Sequence, residues 1–289
     1  MIKSGNFYRN RRKPSQKIYR KLILPRVLLP GMYRKAVPCA KGKSADGKEK
    51  MRMEKKKAQV IYEKTVEASF LRRLNRFTAE VLLEDRIETV HVKNTGRLSE
   101  LLLPKAKVTL QKAEDPERKT AYDLISVYKP KLKWVNVDSL APNLLMKQYL
   151  ENLNVYDVIR PEYAYGDSRI DFYMERNGEK YLREVKGCTL QSEIPGIGLF
   201  PDAPTERGIK HLKELTRASQ EGFICSIDFV IQMTGVHLVY PNMQTSPEFG
   251  TALREAAKAG VGVACLSCHV EADRIWVTGI SGMDAFFRS

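Results

Sequence analysis

The stretch Ser168-Arg-Ile-Asp171-Phe-Tyr-Met-Glu-Arg-Asn177-Gly178-Glu-Lys-Tyr-Leu-Arg-Glu184-Val185-Lys186 decides how the second half of the chain is read. Two extended segments, 170–174 and 180–185, flank Asn177-Gly178, a dipeptide that tolerates positive φ and closes hairpins. Glu184 and Lys186 are two positions apart, so both side chains leave one face of the strand while Val185 points into the core. Asp171 lies on the preceding strand, which the hairpin brings alongside. Two carboxylates and one ammonium then converge. Mg²⁺ or Mn²⁺ takes one or two carboxylates and keeps positions for water and phosphate, so Asp171 and Glu184 are the candidate metal ligands. A carbonyl from Val185 would add another ligand. Lys186 would orient water or shield charge on a scissile phosphodiester, which makes Asp171, Glu184 and Lys186 the candidate catalytic set. An isolated Glu-x-Lys also arises from solvent-facing charge pairs; the aspartate and the surrounding element order give this one its weight.

Working outward, Pro142 opens an amphipathic helix over 142–153, and extended segments follow at 158–165, 170–174 and 180–185. A helix over 205–220 carries Ile209, Leu212 and Leu215 at threefold spacing, and the apolar run 223–233 reads as a buried strand. A further helix over 249–258 and strands over 261–268 and 275–280 complete the chain. The order helix, three strands, helix, strand is that of restriction-endonuclease-like nucleases, a mixed α/β fold. Asp202 or Thr205 is placed to cap the 205–220 helix. Asp202, Glu206 and Lys210 are expected to support the site from behind or to contact phosphate, although Glu206 and Lys210 also suit a plain i,i+4 pair.

Residues 58–140 read differently. Five short extended segments, at 77–83, 88–92, 107–111, 121–128 and 132–137, suit a five-stranded barrel of the oligonucleotide-binding (OB) type. Asn94-Thr95-Gly96-Arg97 lies between the second and third, where Asn and Gly allow a sharp turn. With Arg76 and Lys93 near it in sequence, this loop is expected to face nucleic acid through Arg76, Lys93, Asn94, Thr95 and Arg97. The expected domains are therefore 58–140, barrel, and 141–289, nuclease-like.

The net charge of +15 belongs to neither domain. Residues 1–57 hold 19 Lys and Arg against 3 acids, while the remaining 232 hold 30 against 31. The first 57 residues, with four prolines and no sustained period, read as a basic, disordered tail. Gly47-Lys-Glu-Lys50-Met51-Arg-Met53 carries a second reading: Lys-Glu codons can spell a purine-rich ribosome-binding sequence, which would make Met51 or Met53 the start. Five cysteines, an odd and sparse set, argue against a disulfide framework and for a reducing cytoplasm. Cys265-Leu-Ser-Cys268-His269 spells a haem-attachment pattern, but reads better as a strand with small apolar thiols. No apolar run approaches the roughly 20 residues of a membrane span. No phosphate-cradling Gly-rich loop or nucleophile elbow marks a sugar-binding or metabolic enzyme.

Several ordered motifs together resemble the sugar fermentation stimulation protein A (SfsA) family. They are Arg76-Phe77, His91-Val-Lys-Asn94-Thr95-Gly96-Arg97, Ser168-Arg-Ile-Asp171-Phe172, Glu184-Val185-Lys186 with Thr189-Leu190, and Phe200-Pro-Asp202-Ala203 with Thr205-Glu-Arg-Gly208 and Lys210-His-Leu212. The resemblance runs from about 64 to 268. It implies an N-terminal OB barrel, a C-terminal nuclease-like domain of the PD-(D/E)XK kind, DNA binding and a role in regulating sugar catabolism. It marks Asp171, Glu184 and Lys186 as the site. The family's usual Cys-Pro before Asn-Thr-Gly is Val92-Lys93 here, and its usual Ser-Val after the lysine is Gly187-Cys188. Two functions follow as expectations: a magnesium- or manganese-dependent hydrolase cutting nucleic acid, or a non-catalytic DNA-binding regulator of sugar-metabolism genes. The expected partner is DNA, single- or double-stranded, with RNA and a homodimer left open and no membrane.

Overall fold

Residues 57–283 and Phe287 are described by a computed structural model, so the tail and its start-site reading lie outside them. The barrel is built from β2 (Thr65–Arg73), β3 (Thr78–Leu83), β4 (Arg86–His91), β5 (Lys107–Lys112) and β6 (Tyr122–Lys129). β2 pairs antiparallel with both β3 and β5, β3 with β4, and β5 with β6. A parallel bridge, His91 to Asp123, joins β4 to β6 and closes the ring. Ala79 and Val81 alternate inward on β3, and with Phe70, Val90, Val108, Leu110, Leu124 and Val127 they fill the interior.

A five-stranded OB-like barrel was expected, and one is present, but its membership differs by one strand at each end. β2 was not anticipated. Its sequence, Thr-Val-Glu-Ala-Ser-Phe-Leu-Arg-Arg, buries only Phe70 and changes register between Phe70 and Arg72, so no alternation shows. The last expected strand is β7 (Lys133–Asn136), a hairpin partner of β6 that lies outside the closed ring.

The second domain is a seven-stranded sheet in the order β1-β16-β15-β13-β10-β9-β8. Its strands are β1 (Gln59–Ile61), β8 (Val158–Tyr165), β9 (Ser168–Arg176), β10 (Glu179–Cys188), β13 (Ile224–Ile231), β15 (Gly262–Val270) and β16 (Arg274–Gly282). β10, β13 and β15 run parallel at the centre. Helix α1 (Ala141–Leu153) covers one face, where Leu145, Met146 and Leu150 cluster with Phe172, Val185, Val230 and Leu266. Helices α2 (Glu206–Gln220) and α3 (Pro247–Lys258) cover the other, with Leu212, Leu215, Phe249 and Leu253 against Leu182, Ile227 and Phe229. A small sheet of β11 (Leu190–Gln191), β12 (Ile197–Phe200) and β14 (Leu238–Pro241) lies beside them. This is the mixed α/β arrangement that the element order predicted.

The two domains share structure. Apolar side chains of the barrel interior and of the α2–α3 face form one continuous cluster. β1 precedes the barrel in sequence yet pairs with β16 in the second sheet, register Val60 to Ile275. Cys265 and Cys268 fall in clusters on opposite faces of that sheet, and burial pushes both thiols up to about 12. They act as core residues. Among the described residues no helix is long and apolar enough to cross a membrane.

Candidate functional site

β9 and β10 form a hairpin through Asn177 (φ 51°) and Gly178 (φ 80°), and their ladder runs from Arg176–Glu179 to Phe172–Arg183. The next pair along would be Asp171 with Glu184, and there the ladder stops. β9 continues beside β8, while β10 continues beside β13. Asp171 fills the fork. Its Oδ2 accepts the Val185 N–H at 2.7 Å, and Oδ1 accepts from the Asn143 side-chain amide on α1 at 2.9 Å. A side chain thus satisfies a main-chain donor that the diverging strand cannot.

Glu184 points to the opposite face from Val185 and is almost wholly buried, at 1% exposure. Its Oε1 receives Lys186 Nζ at 2.5 Å and contacts His211 Nδ1 from α2. Its Oε2 is buried without a hydrogen-bond partner among the described residues. Burial raises the Asp171 carboxyl to about 6, and the charge of Glu184 adds to the rise. Burial pushes Glu184 the same way, but the hydrogen bond from His211 and the charge of Lys186 outweigh it and hold this carboxyl below its usual range. Asp171 and Glu184 therefore offer hard oxygen ligands, one atom of which has no donor, and that chemistry fits a divalent cation. Among the described residues no group of three or more His, Cys, Asp or Glu side chains is arranged to hold a metal ion.

His211 and Asn143 were not anticipated. His211 lies on the inner face of α2 with Gly208, Leu212 and Leu215, and a polar residue among buried ones was the available signal. Its Nε2 faces Arg207 Nε at 3.4 Å. The residues expected behind the site lie elsewhere. Thr205 caps α2 by accepting the Gly208 N–H, and Glu206 is exposed in the first turn. Lys210 reaches the Asp167 carbonyl at 3.0 Å and pairs with Glu214 rather than Glu206. Asp202 turns toward the barrel, where Oδ2 accepts from Leu98 N at 3.4 Å. A Cβ at Gly96 would come within 2.5 Å of that oxygen, so any other residue there would push the Asp202 carboxylate aside.

The barrel loop is organised by Arg73. Its Nε donates to the Asn75 carbonyl, Nη1 to Gly96 and Arg97, and Nη2 to Arg76 and Asn94, at 2.6 to 3.1 Å. All five guanidinium donors are used on main chain. Asn94 Oδ1 accepts the Gly96 N–H, while Arg76, Thr95 and Arg97 project into solvent. Lys93 turns inward instead, 3.2 Å from Asp123 and 3.6 Å from Asp138.

Asp123 also meets Arg118 through two bonds and His91 Nδ1 at 3.0 Å. Burial opposes its ionisation, but Arg118 and Lys93 overcome that and bring the carboxyl from 3.8 down to about 2. A depressed folded pKa contributes stability that is full above pH 4 and lost as pH falls toward 2. Asp123→Asn should therefore remove about 1 to 2 kcal/mol at pH 6, after allowance for solvent screening, and much less at pH 2. Urea midpoints at the two pH values check this; an equal loss at both would rule it out.

Two family models match this chain in adjoining spans. Residues 71–137 match the SfsA N-terminal OB domain, and residues 137–274 match the sugar fermentation stimulation protein RE domain. The chain belongs to the SfsA family. A sugar fermentation stimulation protein homolog of Desulfitobacterium hafniense is 45% identical over 211 residues, 72% of this chain and 91% of the relative. The homolog of Clostridium beijerinckii is 42% identical over 217 residues, 74% of this chain and 95% of that one. Among solved structures, that of Pyrococcus furiosus SfsA in complex with Ca²⁺ superposes with a TM-score of 0.71 at 28% identity, covering 78% of this chain and 98% of the other. SfsA membership and the barrel together support a general nucleic-acid-binding role.

Proposed function

We propose that this SfsA-family chain is a DNA-binding protein that serves the regulation of sugar catabolism without turning its ligand over. The observation that carries this reading is how far the acidic set is closed on itself. Lys186 and His211 both engage Glu184, and both oxygens of Asp171 accept protein hydrogen bonds. The exposed cations of the barrel loop, Arg76 and Arg97, supply the contact to phosphate.

A second reading, metal-dependent phosphodiester hydrolysis, is favoured by one specific observation: the donorless Oε2 of Glu184 beside Asp171. The Pyrococcus furiosus relative is described in complex with Ca²⁺, which supports a divalent cation as a ligand of this chain too. Asp171 and Glu184 would hold Mg²⁺ or Mn²⁺, and such an ion supplies activation of water and neutralisation of charge at phosphate. Lys186, anchored through Glu184, would stand ready to orient that water.

The test incubates the protein with labelled single- and double-stranded DNA and RNA in Mn²⁺. The binding reading expects salt-dependent binding that survives Glu184→Ala, with substrates left intact. Cleavage that Asp171→Ala abolishes would replace it with the nuclease reading.

A further inference from the structure

We infer that Phe77 is a stacking platform for an unpaired nucleobase, which makes single-stranded nucleic acid the preferred ligand of the barrel loop. The inference rests on the nucleic-acid-binding reading and goes beyond it by naming the strand form and the side chain that reads it.

Phe77 is 52% exposed, and among the described residues it is the one Phe, Tyr or Trp left exposed. Its main chain is nevertheless fixed. The Phe77 N–H donates to Asn75 Oδ1 at 2.8 Å, and its carbonyl accepts from Val92 N at 2.7 Å. An aromatic group held rigidly from behind and open in front loses little entropy when something stacks on it.

The surroundings decide what that something is. Arg76 and Asn94 both give their carbonyls to one nitrogen of Arg73, at 2.7 and 2.6 Å, so the two loops lie side by side. Turning these carbonyls inward leaves the side chains of Arg76 and Arg97 exposed, with the Arg76 guanidinium over the Phe77 ring, 5.9 Å from its centroid. Neither 72–78 nor 93–97 contains an acid; Asp202 lies beneath the loop, bonded to Leu98 N. A π-face with one cation at the ring and a second on the neighbouring loop matches a ligand with flat rings strung on a polyanion. In a duplex those faces are hidden by neighbouring base pairs, so an unpaired strand gains a contact that a duplex cannot.

The experiment measures fluorescence anisotropy of the full-length protein with labelled oligo(dT), an abasic strand of equal length and a hairpin duplex. Phe77→Ala should weaken oligo(dT) binding by about tenfold or more and leave the abasic strand and duplex within about twofold. Phe77→Trp should retain affinity, while Phe77→Leu, which keeps apolar area without the π-face, should behave as alanine does. Arg97→Ala should weaken all three ligands and flatten the salt dependence. If Phe77→Ala and Phe77→Leu bind oligo(dT) as the wild type does while Arg97→Ala is impaired, stacking is refuted and nucleic-acid binding stands. If the wild type binds none of the three, the binding reading falls and this inference with it. Unchanged melting temperatures show that the variants fold.

Discussion

Asp228→Ala is expected to cost about 3 to 5 kcal/mol, the range for removing one partner of a buried ion pair. Asp228 on β13 is fully buried, and its Oδ2 accepts from Arg183 Nη1 at 2.9 Å and from Ser226 Oγ at 3.0 Å. Alanine removes the carboxylate from beside a guanidinium whose side chain is only 12% exposed, beneath α1, where water replaces it poorly. The pair as a whole need not add net stability, because both charges had to be desolvated. Arg183→Met combined with Asp228→Ala should therefore recover most of the loss. Urea titrations of the single and double variants measure this, and additive losses would contradict it. Nucleic-acid binding should be preserved in the double variant, since the pair lies on the second sheet and the binding loop on the barrel.

The next largest effect is expected at Arg73. Alanine there removes donors from five carbonyls at once, those of Asn75, Arg76, Asn94, Gly96 and Arg97. Charge-assisted bonds are each worth about 1.5 to 3 kcal/mol, but the loop is at the surface and water takes over several of these carbonyls, so a net loss of about 3 kcal/mol is expected. For a domain of this size that lowers Tm by roughly 6 to 12 °C. Lysine should rescue little: one ammonium with three donors cannot span carbonyls arranged around a planar fork. Scanning calorimetry of Arg73→Ala and Arg73→Lys tests both statements, and a lysine variant as stable as the wild type would show that charge alone suffices. Because Arg73 aligns the two loops that carry Arg76 and Arg97, nucleic-acid affinity should fall with stability.

What could be read in the sequence was what is encoded locally. The Glu184-x-Lys186 spacing, the turn at Asn177-Gly178 and the order of helices and strands in the second domain are short-range patterns, and each reappears in the structure. What escaped depends on distant partners. β2 buries a single side chain yet is the strand that joins β3 to β5. Lys93 looked like a free cation because nothing local announces Asp123 and Asp138. Nothing local marks Arg73, because its role follows from five carbonyls, three of them more than twenty positions away. His211 could be flagged only as a polar residue on an apolar helix face, since its contact with Glu184 spans two elements. Asp202 sat in a motif just ahead of the helix that carries His211, but folding turns it to the barrel.

The pairing of β1 with β16 changes how the barrel is attached. Among the described residues, the chain runs first along the edge of the large sheet as β1, leaves to wind the barrel, and comes back through β7 into α1 on the same sheet. The barrel is thus an excursion from the second domain, moored at both ends. A bead on one flexible thread can swivel, whereas a double mooring resists rotation, so the barrel loop keeps a fixed bearing relative to the acidic fork.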